Sequence, residues 1–199
     1  MALKATIFRA QLQIADTDRN FYEDHALTLA RHPSETDERM MVRLLAYALN
    51  VGGLNGGMTN LGAPNAGDAL AFGKGLSADG EPDLWRKDLT GVIELWIDVG
   101  LPDEKSIRKA CGRAAQVRIY SYGRGAEAWW SQVRGKLDRA GNLTVINLPE
   151  ASTQAMAALA QRNMRLQCTI QDGHLWLTDG QDTVRVEPAM VKTAQIGSH

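Results

Sequence analysis

The sequence predicts an α/β fold, and two patterns predict it. Residues 91–166 read as strand, helix, strand, helix, strand, helix, strand, the order of a core with parallel pairing. Residues 2–31 and 164–188 read as strands joined by tight turns, which supply antiparallel additions. The expected architecture is a mixed central β-sheet flanked by helices. It forms a single domain over residues 1–190, with a C-terminal tail over 191–199 whose final Gly-Ser-His reads as a cloning remnant.

Each element has a local reason. In residues 4–14 the side chains of Thr6, Phe8, Ala10, Leu12 and Ile14 fall on one strand face. A turn-like Ala-Asp-Thr-Asp-Arg-Asn precedes a second alternating run, so residues 2–31 read as a β-hairpin. The next segment is helical, with Ser34 as the expected N-cap, Asp37 as its partner, and Met41, Leu44, Leu45 and Ala48 as the apolar stripe. Residues 50–70 are rich in Gly and Asn and read as a loop. They carry neither GxxxxGK[ST] nor GxGxxG, so no phosphate loop is expected.

Strands follow in PDLWRKD and GVIELWIDVG, joined near LTG. A helix starts near Pro102, where Asp103 and Glu104 complement the helix dipole, and is expected to reach Ala114. AQVRIYSYG reads as a strand, GAEAWWSQVRGKLDRAG as an amphipathic helix, NLTVINL as a strand and PEASTQAMAALAQRN as a helix. The remainder reads as short strands joined by Asp-Gly turns.

Composition narrows the function classes. The 199-residue chain has a net charge of -1, so no generally basic surface for nucleic acid or membrane is expected, although a local patch is compatible. Two cysteines, Cys111 and Cys168, form no metal-binding pattern and read as reduced thiols. No apolar run approaches the ~18 residues of a membrane span. The N-terminus lacks the layout of a signal peptide. The expected location is the cytoplasm.

The chemistry concentrates in GEPDLWRKDLTGVIELWIDVGLPDEK, residues 80–105. An apolar strand there carries Glu94 and Asp98, with Asp83 just upstream. Unpaired carboxylates are costly in a strand core. Two readings stand. Either a cation sits among these acids, or they join an ion-pair network with Lys87, Lys105 or Arg108. For the first, Asp83 on one strand, Glu94 on its neighbour and Glu38 from the early helix make a hard-oxygen site for Mg²⁺ or Mn²⁺. Such an ion polarises a phosphoryl oxygen and lowers the pKa of bound water. Asp98 lies on the same strand face as Glu94 but about 13–14 Å away, too far for the same ion, and reads as a capping or supporting residue.

From Lys105 to Ala126 the chain holds Lys105, Arg108, Lys109, Arg113, Arg118 and Arg124 and no acid before the end of that segment. A cationic helix after an acid-bearing strand suits phosphate, and equally suits a solvated face. Gln116 and Tyr120 fall on one face of the next strand. Trp129 and Trp130 suit base stacking or core packing. His25, His32 and His174 have no ligand spacing and read as structural or surface residues.

MALKATI, LTLARHPSETDERMM, EPDLW, IELWIDVGLPDEKSIRKACGRA and TIQDG together resemble the YaeQ family over nearly the whole chain. That family in turn resembles the PD-(D/E)XK, or restriction-endonuclease-like, fold. The resemblance implies that Pro82-Asp83 matches its PD and Glu94 its (D/E). Its lysine falls at Trp96, which neither activates water nor steadies phosphoryl charge, so Lys105 or Lys109 is left to supply an ammonium. Glu38 resembles the additional helical acid of many members, and Gln116 with Tyr120 resembles the QxxxY feature of RecB-type nucleases.

Two functions are therefore expected in competition. One is Mg²⁺- or Mn²⁺-dependent phosphodiester hydrolysis of nucleic acid. It has Asp83 and Glu94 on the metal, Glu38, Lys105, Lys109 and Gln116 assisting, and Arg108, Arg113 and Tyr120 on the substrate. The other is an inactive module on a nuclease scaffold that binds nucleic acid or a protein. No membrane partner is expected.

Overall fold

A computed structural model describes residues 5–52, 69–74, 76 and 80–195. These residues belong to two compact units, Met1–Thr59 with Pro149–Pro188, and Asn60–Leu148 with Ala189–His199. Both are discontinuous in sequence. The chain leaves the first, builds the second, and returns.

The first unit opens with the hairpin the alternation predicts. Strands β1 (Thr6–Asp16) and β2 (Phe21–Arg31) pair antiparallel from Thr6↔Arg31 to Asp16↔Phe21. The buried face of β1 holds Phe8, Ala10, Leu12 and Ile14, as the period of two requires. Helix α1 (Asp37–Asn50) follows. Its N-cap is Thr36, not Ser34: the Thr36 hydroxyl accepts the Arg39 N–H at 3.1 Å, while Ser34 turns to His32 Nδ1. The cap falls there because Thr36 is the last extended residue before the helix. Helix α1 lies along β2, where Arg43 donates to the Ala30 carbonyl and the Tyr47 hydroxyl meets His25 Nδ1 at 3.2 Å.

After the return, α4 (Glu150–Ala158) packs on α1. Strands β8 (Asn163–Gln171), β9 (His174–Thr178) and β10 (Thr183–Val186) complete a five-stranded sheet in the order β10-β9-β8-β1-β2. β8 runs parallel to β1. The turn from β8 to β9 uses Asp172 and Gly173, both left-handed at φ 53° and 73°, which is the Asp-Gly hairpin read from the sequence.

The second unit holds a six-stranded sheet in the order β11-β7-β6-β5-β4-β3. Its strands are β3 (Ala71–Phe72), β4 (Leu84–Lys87), β5 (Ile93–Val99), β6 (Ala114–Ser121), β7 (Leu143–Asn147) and β11 (Ala189–Lys192). β5, β6 and β7 are parallel and joined by crossover helices α2 (Glu104–Cys111) and α3 (Ala126–Leu137). One core gathers Trp96, Ile107, Ala110, Val117, Ile119, Leu137, Leu143 and Val145 between that sheet and those helices.

The mixed α/β class holds, with four helices among the described residues. The single central sheet does not. The hairpin and the C-terminal strands pair with each other through β1 and β8 and not with β5–β7. Helix α4 therefore carries the chain from one sheet to another. Helix α2 is shorter than expected: Asp103 caps it through the Ser106 N–H, and it stops at Cys111 because Arg113 and Ala114 already lead into β6. Two short strands, β3 and β11, have too little alternation to be read locally. β11 carries ordered chain past residue 190, and the Ala194 and Gln195 N–H groups are also bonded, to Thr144 Oγ1 and the Gly141 carbonyl. Most of the Gly/Asn-rich loop at 50–70 and the final residues 196–199 lie outside the described residues. Cys111 and Cys168 are free thiols, and burial pushes Cys168 up to about 12. No helix among the described residues is long and apolar enough to cross a membrane.

Candidate nucleic-acid interface

The acid-bearing strand lies inside the second unit, covered on both faces. Pairing with β4 sets the geometry. Leu84 faces Ile97, Trp85 faces Trp96 and Arg86 faces Leu95, but Lys87 faces Ile93. Glu94 is thus the extra residue of a β-bulge, a device that re-aims side chains and occurs often beside active sites.

Asp83 sits just before β4, 2% exposed. Its Oδ2 accepts the Val99 N–H at 2.8 Å, so the carboxylate closes the carboxyl end of β5. The approach is tight. The Gly73 N–H donates to the Asp83 carbonyl, and a Cβ on Gly73 would lie 2.1 Å from the Pro82 oxygen, so only glycine fits there.

This register separates residues the sequence brings together. Val99 is five residues from Glu94, about 16 Å at strand rise. Asp83, just before β4, and Glu94, at the bulge of β5, thus stand well apart along the ladder. The acid next to Asp83 is Asp98, one peptide from Val99, which the spacing argument had set aside. Asp98 Oδ2 accepts the Trp96 indole N–H at 2.8 Å. Glu38 belongs to the first unit, where it accepts the Thr153 hydroxyl at 2.6 Å. Among the described residues no group of three or more His, Cys, Asp or Glu gathers as a metal site.

Trp96 is 3% exposed and part of the core beneath α2 and α3. Position 96 is thus taken up by packing. The Arg113 guanidinium lies 5.2 Å from the Trp96 ring centroid and donates to the Gly80 carbonyl at 2.8 Å. Lys109 reaches the same place: a Cβ on Gly80 would lie 3.0 Å from its Nζ.

The cations of α2 divide into two stripes. Glu104 and Arg108, at i and i+4, pair at 2.8 Å; Lys136 joins Glu104 at 3.3 Å, and Arg108 also donates to the Lys136 carbonyl. Arg108 is therefore engaged with α3 while its side chain stays more than half exposed. Lys105 and Lys109, at i and i+4, form the other stripe, and Arg113 follows just past the helix end; all three are exposed. Neither lysine makes an ion pair among the described residues, although, after the Ser106 N–H that caps it, the charge of Lys105 helps hold the Asp103 carboxyl below its usual range.

Gln116 and Tyr120 share a face with Leu95 and Val99, their partners across the parallel ladder. The pleat puts that face opposite the one bearing Trp96 and Asp98. Tyr120 is buried, which removes it from any surface contact with nucleic acid, and Gln116 is half-buried. Nothing in the local pattern marks Asp98's position, because the β4–β5 register depends on a bulge.

The family model of YaeQ protein matches residues 1–188. The chain belongs to the YaeQ family. It is 46% identical over 188 residues to the uncharacterized protein YaeQ of Escherichia coli K12, covering 94% of this chain and 95% of that protein. The Salmonella typhi YaeQ is 45% identical over 189 residues, covering 94% and 96%. The crystal structure of YaeQ from Xanthomonas axonopodis pv. citri superposes with a TM-score of 0.83 at 47% identity, covering 95% of this chain and 99% of that one. The Pseudomonas syringae YaeQ structure also gives 0.83, at 31% identity, covering 95% and 97%. The YaeQ fold therefore spans both units described above.

Proposed function

We propose that this YaeQ chain binds the phosphodiester backbone of nucleic acid through Lys105, Lys109 and Arg113. The observation that carries the reading is the split of the α2 cations. Arg108 is ion-paired with Glu104, whereas the equally exposed Lys105, Lys109 and Arg113 make no ion pair among the described residues, Lys105 acting on Asp103 through charge alone. Exposed ammonium groups on one helix face displace counterions from phosphates, and the helix holds their spacing. The resemblance to PD-(D/E)XK nucleases supports a phosphodiester ligand. Its working place is the cytoplasm, in keeping with two unpaired thiols.

The salt dependence of binding tests this. In fluorescence anisotropy with labelled duplex, Lys105→Glu with Lys109→Glu is expected to flatten the log affinity–log salt slope by about 1.8, two contacts at ~0.9 each. An unchanged slope refutes the stripe.

A second reading adds hydrolysis, and the carboxylate of Asp83 beside Asp98 favours it. Mg²⁺ or Mn²⁺ would be held by those two acids and would supply Lewis-acid stabilisation of phosphoryl charge. Asp83→Asn separates the roles, since the amide oxygen still accepts from Val99 while the charge is gone. Mn²⁺ binding by calorimetry, together with Mn²⁺-dependent cleavage, is expected in the wild type and lost in Asp83→Asn. Cleavage that persists in the variant excludes Asp83, and binding without cleavage leaves the first reading alone.

A further inference from the structure

The exposed face of the first unit's sheet is not used by anything above. Its residues follow from the pleat: Arg9, Gln11 and Gln13 on β1 stand beside Asn163, Arg165 and Gln167 on β8. The opposite faces of these strands hold Leu12, Ile14, Leu166 and Cys168 in the core, so the outward positions owe nothing to packing. A surface sheet face tolerates many polar residues. This one instead sets two arginines among four side-chain amides on two central strands.

The face is concave where it meets the loop after β9. An open cleft of about 430 Å³ is lined by Arg9, Gln11, Asn163, Arg165 and, from the adjoining loops, Gln161 and Gln181. A second cleft continues it past Gln13 and Gln167.

Charge decides what fits. Neither Arg9 nor Arg165 has a hydrogen-bonded or ion-paired side chain among the described residues. Two acids line the clefts, Asp24 and Asp179. The N–H groups of Asp182 and Gln181 bond to Asp179 Oδ1 and hold its carboxyl below the usual range, so Asp179 stays ionised and a phosphate enters on the side of Arg9 and Arg165, away from it and from Asp24. Two further cations are spoken for: Arg162 donates to the Ile7 carbonyl, and Arg185 pairs with Glu187 at 2.7 Å. The free guanidinium forks on the cleft match phosphate oxygens.

We infer that this face binds single-stranded nucleic acid, with Arg9 and Arg165 on phosphates and the amides of Gln11, Gln13 and Gln167 on base edges. A broad sheet face does not enter a duplex groove, but an unpaired strand can lay its bases on it. Amides carry both a donor and an acceptor, which suits base edges and gives an apolar protein surface no counterpart. Tyr22, 57% exposed on the outward face of β2, offers a ring for stacking. This site is separate from the α2 stripe and stands whether or not that stripe binds duplex.

Anisotropy with labelled oligo(A) and oligo(U), as RNA and as DNA, tests it across a salt series. Arg9→Ala with Arg165→Ala is expected to flatten the salt slope by about 1.4, two contacts at ~0.7 each for single strands. Lys105→Glu with Lys109→Glu is the parallel arm, and under this proposal single-strand binding survives it. Gln11→Ala with Gln167→Ala is expected to narrow the preference between oligo(A) and oligo(U) without changing the slope, because amides read bases and arginines read phosphate. Circular dichroism confirms that each variant is folded. Folded wild type that binds no single strand at low salt overturns the proposal. So does a slope that moves with the lysines and not with the arginines.

Discussion

Trp96→Ala is expected to lower the stability of the second unit by about 3–5 kcal/mol, the range for deleting a buried large aromatic side chain. Trp96 is 3% exposed among Ile107, Val117 and Leu143. Truncation empties space between β5 and α2, removes the indole N–H from Asp98 Oδ2, and removes the ring under Arg113. Chemical denaturation followed by circular dichroism reads the loss, and hydrogen exchange of the β5, β6 and β7 amides assigns it. A change below about 1 kcal/mol would mean the site collapses around the void. The same geometry fixes the outcome of Trp96→Lys. An ammonium there meets the apolar core, so the substitution that rebuilds the nuclease motif in sequence is expected to unfold this unit and not to create turnover.

Glu35→Ala is expected to destabilise the first unit by a similar amount, about 3–5 kcal/mol, because it strips the partner from a buried charge. Glu35 is 5% exposed and Arg43 3%. Arg43 Nε lies 2.9 Å from Glu35 Oε1, and Arg39 Nη1 lies 3.0 Å from the same oxygen. Without the carboxylate, Arg43 keeps only part of its hydrogen bonding, including the Ala30 carbonyl. Glu35→Leu combined with Arg43→Met is expected to cost less than either change alone, since the fully buried charge goes with its carboxylate and Arg39, which loses the same oxygen, is partly exposed. Thermal denaturation of the three variants measures the coupling. Additive losses would show that the pair contributes nothing beyond its separate contacts.

The amount legible in the sequence differs by scale. Phe8, Ala10, Leu12 and Ile14 announce β1 because a strand's period of two is local. The same alternation exposes Arg9, Gln11 and Gln13, but not their alignment with Arg165 and Gln167, which lie over 150 residues away in the chain. The β5-α2-β6-α3-β7 order was legible for the same local reason. The division into two sheets was not, because hydrophobic patterns say that a strand is buried and not which strand lies beside it.

The candidate site divides in the same way. Spacing singles out Asp83 and Glu94 as carboxylates, and it flags Trp96 where a lysine would serve. It does not set their distance. Asp88 forms the turn between β4 and β5 by accepting the Thr90 and Val92 N–H groups, and the bulge at Glu94 then shifts the pairing. That one residue of offset sets Asp98, and not Ile97, across from Asp83, while Glu94 lies four residues further along β5. Arg108 likewise looks like any other cation of its segment until α3 brings the Lys136 carbonyl to it.

By itself the sequence determined the residue types, the local periodicity, the Asp-Gly turn after β8, and the membership in the YaeQ family. Those depend on neighbours within a few residues, or on motifs long enough to be unmistakable. Only the tertiary structure decided which strands share a sheet, which carboxylates are adjacent and which cations remain exposed. The physical reason is that pairing register and ion-pair choice are set by competition among distant segments for the same hydrogen bonds and the same buried surface.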